Sequence, residues 1–314
     1  MVVRGSSHRA VGNGPLIGPL FRSPRHEPRR TALSPGPRRR LENLASDWLE
    51  RLSGPLGLWR RKRLVVERQD VVLPGLGPAF DGYRIAFLTD LHSSAAVPLW
   101  YLERAVATAL ALEPDIVLLG GDYISHSGRY AQGLVGLLRP LAAPDGVYAV
   151  LGNHDHYVSA ELVRSKLSEA GVKELRNASV VLRRGGAELA VGGVGEMRFD
   201  VIDFEATAAG LAASVPRIVV SHDPDVFAYW PAGIRLDLML SGHTHGGQAH
   251  LPLLGPPYVP SQFGFRYLSG HFQDGDRQLY VSRGVGAITL PVRWRCPPEA
   301  TLIVLHPPLL TERG

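Results

Sequence analysis

The chain has 314 residues, of which 45% are hydrophobic and 20% are charged, and its formal net charge is +5. This composition is typical of a globular α/β protein with a substantial core, and it excludes a wholly disordered or fibrous chain. The single cysteine, Cys296, excludes an intrachain disulfide and a thiolate-based metal site, so any bound metal must be held by nitrogen and oxygen atoms.

The positive charge is concentrated at the N-terminus. Residues 1–63 contain 14 Lys and Arg against 4 Asp and Glu, a net charge of +10, whereas the remaining 20 basic and 25 acidic residues give −5. Residues 1–40 are rich in Gly, Pro, Ser and Arg, and we predict that this basic segment is disordered. The chain has neither the apolar region of a secretory signal nor a run approaching the roughly 18 apolar residues of a membrane span. The sequence therefore predicts a protein that is cytoplasmic or peripheral on the cytoplasmic face of the membrane.

Residues 41–63 predict an amphipathic helix followed by a basic cluster. Apolar residues recur with helical spacing at Leu41, Leu44, Ala45, Trp48, Leu49 and Leu52. Trp59 and four consecutive positive charges at residues 60–63 follow this stripe. Two interpretations remain open: the helix packs on the globular domain, or the stripe and the basic cluster bind an anionic membrane surface.

The globular domain is predicted over residues 64–314, and its first half alternates between strands and helices. Strands are expected at residues 64–73, 83–88, 116–119 and 147–151, and helices at residues 98–112, 130–141 and 159–170. A strand, a helix and a second strand at this spacing predict parallel crossover connections.

The second half is predicted to form another sheet. Short β segments occupy residues 172–194 and include a hairpin across Gly185 and Gly186. A helix at residues 203–213 follows, with later strands at residues 217–220, 236–240, 278–282 and 301–305. The sequence therefore predicts an α/β fold with two sheets.

Five predicted strand ends are followed by residues that can bind metal ions. The strand before Asp122 ends in L-L-G-G-D-Y, and its two glycines allow a sharp turn that projects the carboxylate from the carboxyl end of the strand. Related motifs follow other strands: T-D-L-H at 89–92, G-N-H-D at 152–155, S-H-D-P at 221–224 and S-G-H-T-H-G-G at 241–247. Because open α/β sheets bind ligands at this edge, we expect the motifs to meet at one place.

These motifs contain seven candidate metal ligands: Asp90, His92, Asp122, Asn153, His222, His243 and His245. Seven donors are too many for one tetrahedral ion, and they suit two ions that share a bridging carboxylate, for which Asp122 is the natural candidate. A set made only of nitrogen and oxygen donors favours divalent transition metals, with Mn²⁺ preferred and Fe or Zn²⁺ as alternatives.

The motifs resemble the pattern D-x-H, G-D, G-N-H-D/E, H and G-H-x-H of the calcineurin-like metallophosphoesterases, and the match extends over about residues 83 to 306. The resemblance implies a four-layer α/β/β/α sandwich with two mixed sheets. It also implies that each metal has four ligands, with Asp122 shared: Asp90, His92, Asp122 and His245 for one, and Asp122, Asn153, His222 and His243 for the other.

The resemblance implies a hydrolytic mechanism in which a metal-bridging hydroxide attacks phosphorus. His154 is predicted to be catalytic, because it lies beside a metal ligand and is able either to protonate the leaving-group oxygen or to stabilise the charge of the transition state. Asp155 is predicted to orient the His154 ring, and the alternative role for Asp155 is to cap a turn.

Further motifs bear on the substrate. The sequence G-D-Y-I-S-H-S from Gly121 lacks the following Asp-Arg of the Ser/Thr protein phosphatases, which argues against that branch. The segments at 246–267, 281–286 and 290–299 resemble a branch of bacterial membrane-associated phosphodiesterases, some of which cleave the pyrophosphate of UDP-diacylglucosamine. This implies a phosphodiester or pyrophosphate substrate, lipid-linked or a nucleotide sugar. Alternatives are a phosphomonoesterase or nuclease of the same fold, or a non-catalytic metal-bound scaffold, and no specific nucleic-acid partner is predicted.

Residues 246–267 predict a long loop beside the metal site, and such loops are usually functional. Phe263, Phe265 and Tyr267 alternate within it. They either line an apolar groove for a lipid or base, or fill the core beneath the loop. Arg266 and Arg283 are candidate contacts for a phosphate group.

Overall fold

The computed structural model describes residues 63–288 and 292–308. The predicted disordered segment at 1–40 lies outside the described residues, as does the predicted amphipathic helix and basic cluster except for Arg63. The described part of the chain contains two six-stranded sheets with helices against their outer faces.

Twelve strands are numbered here in chain order. They are β1 (Val65–Val72), β2 (Tyr83–Leu88), β3 (Ile116–Leu119), β4 (Val147–Ala149), β5 (Lys173–Glu174), β6 (Ala178–Arg184), β7 (Ala187–Gly193), β8 (Arg217–Val220), β9 (Leu238–Ser241), β10 (Gly270–Asp274), β11 (Arg277–Val281) and β12 (Glu299–His306). The α-helices are Leu99–Leu110, Ala131–Leu138, Asn153–Val158, Ala160–Glu169, Phe204–Ala208 and Val226–Tyr229. Most predicted elements are therefore present within a few residues of their expected bounds.

The two sheets are mixed, and each contains a block of parallel strands. The first has the order β1-β12-β2-β3-β4-β5, and the second has the order β10-β11-β9-β8-β7-β6. Strands β2, β3 and β4 are parallel, with Ile85 opposite Ile116, and so are β7, β8 and β9. The last strand, β12, returns to the first sheet, where it is parallel to β1 and antiparallel to β2.

Alternate side chains of each strand point to opposite faces of its sheet and so contribute to different core layers. In β2, Ile85 and Phe87 belong to the core between the sheets, whereas Ala86 and Leu88 pack toward the helices on the outer face. In β8, Ile218 also lies in the core between the sheets. A third core covers the outer face of the second sheet. The predicted four-layer α/β/β/α sandwich is thereby confirmed.

One helix is shorter than its sequence pattern indicates. The prediction extended it over residues 203–213, but the helix is Phe204–Ala208. Asp203 caps its start by accepting a hydrogen bond from the backbone N–H of Ala206. Gly210, with φ of +73°, then takes the left-handed conformation that ends helices.

Candidate metal centre

The first group of ligand atoms comes from Asp90, His92 and His245, all of them buried. The Nε2 atom of His92 lies 3.1 Å from Nε2 of His245 and 3.8 Å from Oδ1 of Asp90. His245 Nε2 is 3.4 Å from the same Asp90 oxygen. The other Asp90 oxygen accepts a hydrogen bond from the Thr89 hydroxyl, and the backbone N–H of His243 is within hydrogen-bond distance of both Asp90 oxygens.

The second group comes from Asp122, His222 and His243, which are also buried. His222 Nε2 lies 3.2 Å from Oδ2 of Asp122 and 3.1 Å from Nδ1 of His243. Strands β8 and β9 deliver the two histidines from the second sheet, whereas Asp122 follows β3 in the first. This group therefore spans both sheets.

Asp122 connects the two groups through one oxygen atom. Its Oδ2 is 3.4 Å from His92 Nε2 in the first group and 3.2 Å from His222 Nε2 in the second. Its other oxygen accepts a hydrogen bond from the backbone N–H of His154 at 2.8 Å. One carboxylate oxygen that faces the ligands of both groups has the geometry expected of a bridge.

Asn153 supplies a further oxygen, and it lines the same cavity as Asp122. Its Oδ1 is buried and has no hydrogen-bond partner among the described residues. A buried carbonyl oxygen without a partner costs about 1–3 kcal/mol, and native proteins rarely leave one unsatisfied. A cation beside Asp122 would satisfy it.

The donor atoms fit two divalent metal ions. Ligands about 2.1 Å from one ion lie roughly 3–3.5 Å from each other, and the neighbouring donors here are separated by 3.1–3.8 Å. All of the donors are imidazole nitrogens or carboxylate and amide oxygens, the set that suits first-row transition metals. The structure therefore supports the prediction of two divalent ions.

Hydrogen bonds fix the orientation of two histidine ligands. His222 donates from Nδ1 to the carbonyl oxygen of Gly120 at 2.8 Å, which leaves the Nε2 lone pair for the second group. His243 donates from Nε2 to the carbonyl oxygen of Pro260, also at 2.8 Å, and turns Nδ1 toward the same place. Partners of this kind orient metal-binding histidines in proteins.

The backbone at the predicted ligands is strained. Left-handed φ angles, which cost non-glycine residues about 1–2 kcal/mol each, occur at five of the seven: Asp90 (55°), His92 (49°), Asp122 (56°), His243 (69°) and His245 (53°). Such strain is concentrated at functional sites, where the surrounding structure holds it. Close packing adds to the constraint, because a Cβ atom added to Gly152 would lie only 2.2 Å from Oδ1 of Asp122.

The electrostatics of the site favour bound positive charge. Burial holds the pKa of His92, His243 and His245 well below its usual range, so these rings are neutral and offer lone pairs. Burial also opposes ionisation of Asp122, but positive charge on the neighbouring histidines, above all His222, outweighs it and holds the pKa of this carboxyl well below its usual range. The buried Asp122 carboxylate is therefore ionised, and its charge in turn raises the pKa of His222 well above its usual range against the opposing effect of burial. A metal cation would replace the His222 proton in balancing this charge.

His154 lies on the floor of the site, but Asp155 does not orient its ring. Nδ1 of His154 is 3.1 Å from the carbonyl oxygen of Ser125, to which it donates. The Asp155 carboxylate instead accepts from the backbone N–H groups of Asp122, Tyr123 and Gly152, each at 2.9 Å. The predicted orienting role of Asp155 is wrong, because these backbone donors occupy its oxygens. Its role is the alternative one: it caps the helix that begins at Asn153 and fixes the loop that carries Asp122.

A cavity of about 480 Å³ opens above the predicted ligands, a volume typical of small-molecule sites. Asp122, Asn153 and His154 are among the residues that line it. Tyr157 and Arg198 also line it, and these two residues were not identified from the sequence. No motif marks Arg198, since it follows β7 in a turn whose approach to the site depends on the packing of the two sheets.

The loop at 246–267 contributes an apolar wall to this cavity. Pro257, Tyr258 and Pro260 line it. The loop is anchored at Asp225, whose carboxylate accepts hydrogen bonds from the Ser261 hydroxyl and the Gln262 backbone N–H, each at 2.6 Å.

Of the three aromatic residues farther along this loop, two fill the core and one is exposed. Phe263 and Tyr267 pack in the core on the outer face of the second sheet, whereas Phe265 is exposed. None of the three lines the cavity, so the groove interpretation is not supported.

The two arginines proposed as phosphate contacts do not line the cavity. Arg283 forms ion pairs with Glu67 and Glu299. Arg266 lies over the ring of Tyr267, 5.2 Å from its centroid. The basic residue at the cavity is Arg198, whose Nη2 atom is 3.4 Å from Nε2 of His243.

Comparison with known families identifies this arrangement of motifs. The family profile of the calcineurin-like phosphoesterases matches residues 83–247, from the start of β2 to the end of the G-H-T-H-G-G motif. The chain belongs to this family. It is therefore a metal-dependent phosphoric ester hydrolase by family.

Individual relatives cover most of the chain. It is 35% identical over 230 residues to the phosphodiesterase YaeI of Escherichia coli, covering 71% of this chain and 82% of the relative. It is 34% identical over 231 residues to the uncharacterized metallophosphoesterase YkuE of Bacillus subtilis, covering 72% and 80%. Among solved structures, a 5'-nucleotidase precursor from Thermus thermophilus aligns with a TM-score of 0.43 at 12% identity, over 71% of this chain and 54% of that one.

Proposed function

We propose that the protein hydrolyses a phosphodiester or pyrophosphate bond of a lipid-linked or nucleotide-sugar substrate, with Mn²⁺ as the preferred metal. The observation that carries this proposal is the shared Asp122 oxygen between two buried ligand groups, at the floor of a cavity with an apolar wall. A polar floor and an apolar wall suit a substrate that joins a phosphate group to a less polar moiety. The name of the Escherichia coli relative, a phosphodiesterase, agrees with this reaction class.

Each group in the site has a proposed task. Asp90, His92, Asp122 and His245 hold one ion, and Asp122, Asn153, His222 and His243 hold the other. When bound, the two ions supply an activated water and polarise the phosphoryl oxygens. His154 protonates the leaving-group oxygen from Nε2, because its Nδ1 donates to Ser125. Burial lowers the pKa of His154, so the protonated ring is a stronger acid than an exposed histidine.

Arg198 is proposed to bind the phosphoryl group that lies over the metals. Its guanidinium is at the cavity, is hydrogen-bonded with Tyr157 and approaches His243. A guanidinium in this position pairs with phosphate oxygens and balances charge that develops on them.

Replacing Arg198 with Ala is expected to lower kcat/KM for a diester by about 10- to 100-fold, the range for a lost hydrogen bond to a charged group. The bound metal should be unchanged, because the arginine is not among the predicted ligands. Arg266→Ala is the matched control, since that arginine does not line the cavity. Equal effects of the two substitutions would remove Arg198 from the proposed site.

The reaction class is tested by turnover of bis-(p-nitrophenyl) phosphate, p-nitrophenyl phosphate, a nucleotide sugar, a lipid pyrophosphate and DNA, each with Mn²⁺, Fe²⁺ or Zn²⁺. We expect the diester and pyrophosphate substrates to be preferred, with Mn²⁺ giving the highest rate. A preference for the monoester or for DNA would replace this proposal with a phosphomonoesterase or a nuclease.

We further propose that residues 41–63 attach the protein reversibly to an anionic membrane surface. Among the described residues no helix is long and apolar enough to cross a bilayer. The proposal rests on the sequence, in which the stripe from Leu41 to Leu52 precedes four positive charges, each contributing about 1 kcal/mol near an anionic surface. Replacing residues 60–63 with Gln should weaken co-sedimentation with anionic vesicles at low salt, and unchanged sedimentation would contradict it.

A further inference from the structure

Large apolar side chains are exposed together on two neighbouring segments beside the cavity. Leu253 and Leu254 have exposed fractions of 106% and 79%, and Tyr258 has 71%. On the second segment, Trp294 is 58% exposed. We call the following set the apolar rim: Leu251, Leu253, Leu254, Tyr258, Val292 and Trp294. Isolated exposed apolar residues are ordinary, but a contiguous group marks an interaction surface.

Backbone hydrogen bonds hold the two segments of the apolar rim together. The N–H of His250 donates to the carbonyl oxygen of Trp294 at 2.9 Å, and the N–H of Trp294 donates to Gln248 at 3.2 Å. The N–H of Leu251 donates to the carbonyl oxygen of Gly255 at 2.8 Å and closes a turn over residues 251–255, which forms the tip of the first segment. Leu253 at this tip has a φ of 67°, a conformation that is costly for a leucine. The fold therefore accepts local strain where this side chain is exposed.

The apolar rim borders the opening of the proposed active site. Tyr258 and Val292 belong to the rim and also line the cavity that contains Asp122 and Arg198. A flat partner that covers the rim would lie against the mouth of this cavity. The rim is thus placed to determine how a substrate reaches the metal centre.

The charge distribution indicates an anionic partner. Residues 244–273 and 277–298 contain no Asp or Glu, although residues 64–314 as a whole carry a net charge of −5. Arg266 and Arg295 lie within these two segments. The apolar rim belongs to these two segments, so an anionic surface is repelled less at the rim than by the acidic remainder of the domain.

The apolar rim combines leucines with aromatic residues, the residue types that proteins use to contact the surface of a bilayer. Three leucines can enter the boundary between headgroups and acyl chains, where apolar burial stabilises binding. Tyr258 and Trp294 combine an apolar ring with a polar group, and such residues are concentrated at membrane interfaces. A protein partner of matching shape would not require the absence of carboxylates over so long a stretch of sequence.

We infer that the apolar rim inserts into the surface of an anionic lipid bilayer and places the mouth of the cavity against the headgroups. This contact belongs to the folded domain and is separate from the one proposed for residues 41–63. The contact would allow the enzyme to take a lipid-linked substrate directly from the membrane, and this consequence rests on the proposed function.

Fluorescence of the full-length protein tests the contact itself. An environment-sensitive probe attached at Leu254→Cys should shift to the blue, and become protected from an aqueous quencher, when vesicles of equal parts phosphatidylglycerol and phosphatidylcholine are added. The native Cys296 is buried and should not react. Val72→Cys is the control, since Val72 is 50% exposed and lies at the opposite edge of the first sheet from the metal site. Strand β1 is parallel to β12, which is antiparallel to β2, so the carboxyl end of β1 lies at the edge where β2 begins, and the site lies where β2 ends. Equal spectral shifts at both positions, or no shift at residue 254, would overturn the inference. A shift at residue 254 that appears without vesicles when the protein concentration is raised would also overturn it, because it would indicate contact with a second copy of the chain.

Paired substitutions test the consequence for activity. L253E/L254E should lower the vesicle partition coefficient by at least about tenfold, because two apolar contacts are lost. The matched control V66E/V72E adds the same charge on exposed positions of β1 and should change it little. Neither pair lines the cavity, so both variants should hydrolyse soluble bis-(p-nitrophenyl) phosphate like the parent. Equal losses of binding in the two variants would overturn the inference. Failure of the parent to hydrolyse the soluble diester would instead contradict the proposed function alone.

Discussion

Replacing Asp122 with Asn is expected to lower the diesterase rate by at least about 10³-fold and to weaken binding of both metal ions. One oxygen of this carboxylate faces the ligand nitrogens of both groups, His92 at 3.4 Å and His222 at 3.2 Å, so its charge serves both sites. Stabilisation of transition-state charge by metal ions amounts to several kcal/mol, and each 1.36 kcal/mol corresponds to a factor of about ten. Metal content and turnover should be measured on the same preparation.

Asp145→Asn is a suitable control for this substitution. Asp145 pairs with Arg184 at 2.8 Å and accepts a hydrogen bond from Tyr83, and it does not line the cavity. The same chemical change there should leave both metals bound. If Asp122→Asn removes one ion and leaves the affinity for the other unchanged, the carboxylate does not bridge.

Replacing His154 with Ala is expected to retain both metals and lower the rate by about 10²–10⁴-fold, the usual contribution of a general acid. His154 lines the cavity, and its ring is hydrogen-bonded through Nδ1 to the carbonyl oxygen of Ser125. Substrates whose leaving groups have a low pKa need less protonation, so the variant should recover part of its rate on them. The dependence of rate on leaving-group pKa should therefore be steeper for the variant than for the parent.

His156→Ala provides the matched control on the same helix. His156 lies 3.3 Å from Asp200 and does not line the cavity. Its replacement should alter neither the rate nor the leaving-group dependence appreciably. Loss of metal in the His154 variant, with unchanged turnover per bound metal, would show that His154 acts as a ligand and not as an acid.

The fold was largely predictable because its signals are local. Apolar runs such as residues 116–119 and periodic segments such as 98–112 give strands and helices directly, and parallel crossovers follow from their order. The pairing of β12 with β1 and β2 was not predictable, since it joins strands more than two hundred residues apart and no local pattern encodes it. The two-residue strand β5 is too short to produce a periodic signal.

The clustering of the predicted metal ligands was predictable for the same reason, whereas the surroundings of the cluster were not. Asp90 and His243 follow apolar strands within recognisable motifs, so the strand that carries each residue determines where it lies. The ring of His154 is oriented by the carbonyl of Ser125, and carbonyls are present at every position, so the sequence could not single this one out. Arg198 reaches the cavity only because the two sheets pack together.

The loop at 246–267 shows a further limit of sequence patterns. Phe263 faces the core and Phe265 is exposed, although both belong to one alternating aromatic pattern. Alternation in an extended chain would place the two side chains on the same side of the backbone, but residues 262–267 form turns, so the two rings separate. The exposed leucines at the tip are likewise indistinguishable in sequence from leucines of a core.

The central claim is that one carboxylate joins two metal sites, and a titration of chelator-treated protein with Mn²⁺ tests it most directly. Bound metal, measured by elemental analysis, should reach two ions per chain, and diesterase activity should rise with the second equivalent. A stoichiometry that stays at one ion per chain under saturating metal, with full activity, would contradict the paired metal centre.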